Sequence, residues 1–199
     1  MSDPVDLTPE LLLYTYSQGI FPMGHDDGEI YWYDPDPRAI IPLDDRFHVP
    51  RSLARRIRQG GFEIRLDSAF RQVITACAEP DQNRENTWIT PPIIDIYCEL
   101  HELGYAHSVE TWIDGELVGG LYGVTLGGLF AGESMFSRVT DSSKIALVYL
   151  VERLRAGGFT LLDTQFMTAH LRRFGTVEIP RGESQVRLRR ALTQMARFG

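Results

Sequence analysis

The sequence predicts an α+β domain built on one central, mainly antiparallel sheet flanked by helices. Three observations lead there. Two strand-like runs, His107–Ile113 and Glu116–Val124, flank Asp114–Gly115, a dipeptide that tolerates the left-handed backbone of a tight hairpin. A third run, Leu129–Ser134, continues the meander across Gly127–Gly128. An amphipathic helix, Ser143–Arg155, then leads back to a short apolar strand, Phe159–Phe166. Hairpins followed by a helical return make a sheet with helices packed on it.

The remaining elements follow in chain order. Thr8 reads as an N-cap and Pro9 as the first residue of a helix to about Ser17, ended by Gly19. Leu11, Leu12 and Tyr16 mark its buried side. The segment IFPMGHDDGEIYWYDPDPR carries too many aromatics for a linker and reads as an ordered, irregular loop. Val49–Gln59 is a helix closed by Gly60–Gly61, Phe62–Leu66 alternates like a strand, and Asp67 is placed to cap a helix to about Ala78. The polar EPDQNREN and Thr87–Thr90 precede a helix opened by Pro91–Pro92 and closed by Gly104. After Phe166 come a short helix, a strand at Val177–Ile179 and an arginine-rich final helix.

With 199 residues, 43% of them hydrophobic, the chain can bury the core of one domain with at most a small appendage. Cys77 and Cys98 lie in helix-like apolar segments without metal-ligand spacing, which points to buried thiols in a reducing compartment. MSDPVDLTPE is acidic and lacks the apolar core of a signal peptide, and no run has membrane-spanning length, so the expected location is the cytoplasm. The net charge of −7, from 20 basic and 27 acidic residues, weighs against indiscriminate nucleic-acid binding. Lys144 is nevertheless the only lysine. Arginine forms bidentate contacts with phosphate, so an RNA partner stays open. Arg51, Arg55 and Arg58 form one helical stripe, either a solvated face or phosphate contacts, and Arg187, Arg189 and Arg190 are the alternative footprint.

The chemistry concentrates in GGLYGVTLGGLFAGESMFSR, Gly119–Arg138, and in LDTQ, Leu162–Gln165. Glycines in a strand mark bulges or close backbone approaches. Glu133 follows them among apolar neighbours. Strand alternation puts Leu161, Asp163 and Gln165 on one face and Leu162 and Thr164 on the other. A buried carboxylate beside an amide needs partners, whether in a structural network or in a site. No phosphate-binding G-x-x-x-x-G-K-[ST], H-E-x-x-H or G-x-S-x-G occurs. His101 and His107 read as structural or surface histidines.

YSQGIFPM, YWYDPDPRAIIP, TWIT, HELGYAHSVETW, LVGGLYGV, LFAGESMFSR and LLDTQF together resemble the leucyl/phenylalanyl-tRNA–protein transferases over nearly the full chain. The resemblance implies a small N-terminal domain, residues 1–38, joined to an acetyltransferase-like (GNAT-like) domain, residues 39–199. It implies transfer of leucine or phenylalanine from charged tRNA to proteins beginning with arginine or lysine, which marks them for degradation. Carried over, it makes Asp163 and Gln165 the catalytic pair, puts Glu133 at the acceptor site, and sets Tyr16, Met23, Trp88 and Tyr97 around the aminoacyl-adenosine end. Met23 stands where the family usually has tryptophan, and Tyr31 replaces the first of a tryptophan pair. An aminoacyl ester is already activated, so no metal or cofactor is called for. Asp163 is expected to hold and polarise Gln165. Leu121, Phe130 and Met135 suit a pocket for a side chain unbranched at Cβ. Expected partners are aminoacyl-tRNA and acceptor proteins, without a membrane, for a monomer. The competing readings are an acyl-CoA-dependent acyltransferase and a non-catalytic binder of charged tRNA.

Overall fold

A computed structural model describes residues 7–25, 27–80 and 87–199. Residues 1–6, Asp26 and most of EPDQNREN, readings on them included, lie outside the described residues. Helix α1 (Pro9–Ser17) starts as the sequence predicts, with the Thr8 hydroxyl accepting from the Leu11 amide at 3.2 Å. The aromatic segment after it differs from the expected irregular loop. It folds into a two-stranded antiparallel sheet, β1 (Phe21–Gly24) and β2 (Ile30–Tyr33). Both strands are edges, so Pro22 deprives no neighbour of a ladder bond. Phe21 stacks on its cross-strand partner Tyr33 at 6.0 Å.

The main sheet runs β4 (Glu63–Leu66), β5 (Ala106–Ile113), β6 (Glu116–Leu126), β7 (Leu129–Ser137), β8 (Leu161–Gln165), β3 (Arg38–Ile41), β9 (Val177–Ile179). Among the described residues only the β7–β8 pair is parallel, so the sheet is mixed with antiparallel pairing dominant. The hairpin turn at Asp114–Gly115 has φ of 51° and 82°, as its sequence predicts. β3 escapes the alternation test because all four of its residues are buried.

Helices cover both faces. On one, α1, α3 (Phe70–Ala78) and α4 (Pro91–Glu102) pack over Tyr122, Val124 and Ala131. On the other, α5 (Ser142–Ala156) and α2 (Arg51–Gln59) pack over Val109, Leu121, Phe130 and Leu162. The N-terminal residues Leu12, Tyr16 and Phe21 belong to the first of these cores. A third cluster lies under α7 (Arg181–Leu192), where Leu188 and Ala191 meet Ile40, Leu129 and Leu161. Gly119 is where α5 meets the sheet: a Cβ there would collide with the Ser142 side chain.

α3 starts two residues later than the sequence suggests, with Ala69 rather than Asp67 at the cap position. Asp67 sits at φ 55° and accepts from the Ser108 amide and pairs with His107, both at 2.8 Å, instead of capping the helix. The cap comes from β5: Glu110 accepts from the Ala69 amide at 2.8 Å.

Candidate functional site

The site lies where the parallel pair comes apart. β7 and β8 pair from Leu129↔Leu161 to Ala131↔Asp163 and no further. Each strand bulges just beyond, β7 two residues and β8 one residue past the last pair. In β7, Tyr122 faces Ser134 and Gly123 faces Gly132, which leaves Glu133 as the extra residue. In β8, Ala39 faces Gln165 and Ile40 faces Asp163, which leaves Thr164 extra. A bulge bends its strand and re-aims the side chains beside it. Gly123 is needed at this point, since a Cβ there would run into the Ala131 carbonyl and the Phe130 ring. β8 ends on Gln165 at φ 58°, a left-handed conformation uncommon outside glycine, asparagine and aspartate. The bulge and this turn break the alternation that grouped Asp163 with Gln165.

A cavity of about 580 Å³ opens in the splay, within the range of small-ligand sites. Leu121, Met135, Leu147, Leu150, Leu162 and Leu171 supply most of its apolar wall, and Glu133, Thr164, Gln165 and His170 its polar groups. Of the three pocket residues expected from sequence, Leu121 and Met135 line it. Phe130 does not: it is fully buried in the core beneath, stacked on Phe198 at 5.7 Å. The leucines of α5 and α6 (Ala169–Arg172) that complete the wall could not be found by strand reasoning, because they reach the cavity from helices.

Glu133 is half-buried, with its carboxyl group held between two helices. Tyr16 of α1 donates to Oε1 at 2.7 Å, and Tyr97 of α4 donates to Oε2 at 3.4 Å. The two phenol oxygens also lie within hydrogen-bond reach of each other, so their two protons are shared among three contacts. The Gln165 amide nitrogen lies 3.5 Å from Oε1. Burial pushes the Glu133 carboxyl up to about 8, reinforced by the negative charge of Asp163 and opposed by the phenol hydrogen bonds. Burial, followed by the Glu133 charge, also raises both phenols well above the usual tyrosine range. Glu133 forms no ion pair with the nearby Arg138. Arg138 binds Glu79 at 3.0 Å instead.

Asp163 has different company. Arg38 of β3 donates to it through Nε at 3.0 Å and Nη2 at 2.7 Å, and the Gln165 backbone amide donates at 2.9 Å. The carboxylate is buried and forked by a guanidinium. It therefore fixes the backbone of Gln165 rather than polarising its side chain, which corrects the expected pairing. Arg38, absent from the sequence-based reading, closes the network by donating to the Gly19 carbonyl at 2.7 Å.

Of the four residues that the resemblance sets around the aminoacyl-adenosine end, Tyr16 and Tyr97 contact Glu133. Met23 and Trp88 are half-buried against the core that holds Tyr16 and Tyr97, and the Gly24 amide donates to the Trp88 carbonyl at 3.0 Å. Phe166, which the sequence reading did not single out, is 45% exposed at the cavity and edge-on to Phe21 at 5.8 Å. His170 Nε2 is buried without a hydrogen-bond partner among the described residues, and burial lowers the pKa of the ring. Arg51, Arg55 and Arg58 are exposed on α2, with Leu53 and Ile57 packed inward. Arg187 is paired with Glu183, while Arg189 and Arg190 are exposed. Among the described residues no helix is long and apolar enough to cross a membrane, and no cluster of three or more His, Cys, Asp or Glu side chains could hold a metal.

Comparison with known proteins gives a consistent picture. The family model for leucyl/phenylalanyl-tRNA protein transferase matches residues 40–189, and the model for the N-terminal domain of the same proteins matches residues 5–36. The leucyl/phenylalanyl-tRNA–protein transferase of Herpetosiphon aurantiacus is 64% identical over 192 residues, 96% of this chain and 98% of the relative. That of Salinibacter ruber is 58% identical over 190 residues, 95% of this chain and 82% of the relative. Among solved structures, L-PGS from Bacillus licheniformis overlaps 83% of this chain and 55% of its own at 16% identity and a TM-score of 0.42, too loose an overlap to bear on function.

Proposed function

The chain belongs to the leucyl/phenylalanyl-tRNA–protein transferase family, and we infer that its splayed-strand cavity is where leucine or phenylalanine passes from charged tRNA to an acceptor protein. The observation that carries this reading is the cavity's two-sided chemistry. An apolar wall of leucines and a methionine suits the side chain of the donor amino acid, and Glu133, Thr164 and Gln165 offer polar partners for its ester and the attacking amine. We read residues 1–38 as the small N-terminal domain, docked onto the transferase domain through Leu12, Tyr16 and Phe21, and residues 39–199 as acetyltransferase-like, the β7–β8 splay being the feature that supports this.

The reaction needs alignment more than activation. The acceptor α-amine forms a bond to the ester carbonyl carbon and the carbonyl pair moves onto oxygen. Collapse then breaks the bond to the tRNA ribose, whose oxygen leaves with one proton from nitrogen. Holding amine and ester in register removes much of the entropic barrier. Gln165, whose backbone is clamped by Asp163, offers a side-chain carbonyl to orient the amine. Asp163 acts as a positioning residue, because its contacts are with Arg38 and the Gln165 backbone. Tyr16, Met23, Trp88 and Tyr97 surround the aminoacyl-adenosine end, and Glu133 receives the cationic acceptor, for which N-terminal arginine or lysine is the proposed class. Degradation of the tagged protein is the proposed consequence. Incubation with leucyl-tRNA and an arginine-initiated peptide tests this reading. A peptide heavier by one leucine residue is expected, and an unmodified peptide overturns it.

The exposed stripe Arg51, Arg55 and Arg58 is the proposed phosphate footprint, since none of the three has a partner among the described residues. Replacing all three by alanine is expected to flatten the salt dependence of tRNA binding by roughly one slope unit per lost contact. An unchanged slope returns the stripe to an ordinary solvated face.

A further inference from the structure

We propose that Glu133 is the general base of the transfer: its carboxylate takes a proton from the acceptor's α-ammonium group and frees the nitrogen lone pair for attack on the aminoacyl ester. The proposal rests on the transferase reading above and assigns the step that reading leaves open, the fate of the first proton.

The geometry singles out Glu133 among the carboxylates of the site. As the bulged residue of β7 it lines the cavity, and its Oε1 lies 3.5 Å from the amide of Gln165, the residue that orients the amine. Asp163, the other carboxylate, does not line the cavity, and its oxygens accept from Arg38 and the Gln165 backbone. Gln165 itself is an amide and no base. The groups facing Glu133 are Tyr16 from α1, Tyr97 from α4 and Gln165 from β8, with Asp163 and Arg38 behind them. The donors in contact with it are neutral, and the guanidinium of Arg38 is committed to Asp163. An arriving ammonium group is therefore the cation that completes the site.

Proton affinity agrees with geometry. The carboxyl group, pushed up to about 8 by burial, is matched to an α-amine of about 7.7–8.0. Matched affinities let one proton be shared, so the neutral pair of carboxylic acid and free amine is populated beside the ion pair. Two carboxylates in unlike surroundings take unlike roles: Asp163 clamps, through its bonds with Arg38 and the Gln165 backbone, and Glu133 moves the proton. The step balances. The α-ammonium starts with three protons. One goes to Glu133 and is later released to solvent, one leaves on the ribose hydroxyl, and one remains on the new amide.

The test compares kcat/KM of wild type and Glu133→Gln on three peptide acceptors with leucyl-tRNA. They begin with arginine, with alanine, or with the aminooxy analogue of arginine, whose nucleophilic nitrogen is already unprotonated at neutral pH. The expected result is a loss of about 100-fold on both amine acceptors and a loss under about threefold on the aminooxy acceptor. If the variant loses rate on both arginine-type acceptors and keeps it on alanine, Glu133 only holds the side-chain cation and the proposal falls. Equal losses on all three overturn it in favour of a structural role, with thermal melting as the control for folding. Failure of the wild type on every acceptor sinks the transferase reading itself, a separate outcome.

Discussion

Two glutamates on neighbouring regions of the sheet lead opposite lives. Glu110 of β5 is fully enclosed and accepts from four donors: the Ser68 hydroxyl, the Ala69 amide at 2.8 Å, the Ser108 hydroxyl at 2.9 Å and the Trp112 indole at 3.0 Å. Glu133 of β7 has two phenols, a distant amide and an open side facing the cavity. A saturated carboxylate has nothing left to offer a substrate. It ties α3 to the sheet, supplying the cap that the helix's own N-terminal residue, Ala69, cannot. An unsaturated one keeps lone pairs and a labile proton in reserve. The number of donors per carboxylate separates the two, and exposure to the cavity goes with it.

The largest expected effect follows from emptying each site. Glu110→Ala strands the buried Ser108 hydroxyl and the part-buried donors of Ala69 and Trp112, at a cost of about 2–3 kcal/mol by chemical denaturation. Glu133→Gln is expected to leave stability at pH 5 nearly unchanged and to alter its pH dependence. The folded protein holds the Glu133 proton more tightly than an unfolded chain, whose glutamates titrate near 4.3. The stabilising contribution is thus complete below about pH 4.3 and is lost as pH rises through about 8. Wild-type melting temperature should fall between pH 5 and pH 8, and the variant's should fall less. Parallel curves for the two proteins would remove the distinction between the carboxylates.

Much of the fold is legible in the sequence where one residue type has a local job. Thr8 caps α1, Asp114–Gly115 turns the β5–β6 hairpin, and Pro91 opens α4, each through chemistry within a few positions. The failures share one cause, partners that are distant along the chain. Asp67 looks like a cap but is spent on His107 and Ser108, while the working cap arrives from Glu110. β3 carries no alternation because neighbours bury all of it. At the candidate site, the motifs point to Asp163, Gln165 and Glu133, yet their contacts come from Arg38, 125 positions from Asp163, and from Tyr16, 117 positions from Glu133. No spacing rule reaches the two bulges that turn Glu133 and Gln165 toward one cavity. They are properties of register between strands, set only when the sheet assembles.

A gentler pair of substitutions sharpens the contrast by deleting one donor from each carboxylate. Ser108→Ala removes a hydroxyl from Glu110 and leaves its other three donors in place. A hydrogen bond to a charged group contributes roughly 1.5–3 kcal/mol, and the remaining donors soften the loss, so about 1–2 kcal/mol of stability should disappear. Transfer per folded molecule should stay at the wild-type level, because Glu110 does not line the cavity. Tyr16→Phe keeps the ring in the core and removes the 2.7 Å donor to Glu133. That bond lowers the carboxyl's pKa, so its loss raises the pKa further and leaves less carboxylate to accept a proton at pH 7. Transfer should fall several-fold at pH 7 and recover as pH rises, with a stability cost of about 1 kcal/mol or less, typical of a neutral hydrogen bond. Denaturation curves and a pH–rate profile on both variants read the two effects apart. Should Ser108→Ala slow transfer as much as Tyr16→Phe does, the count of donors would no longer separate a structural carboxylate from a reactive one.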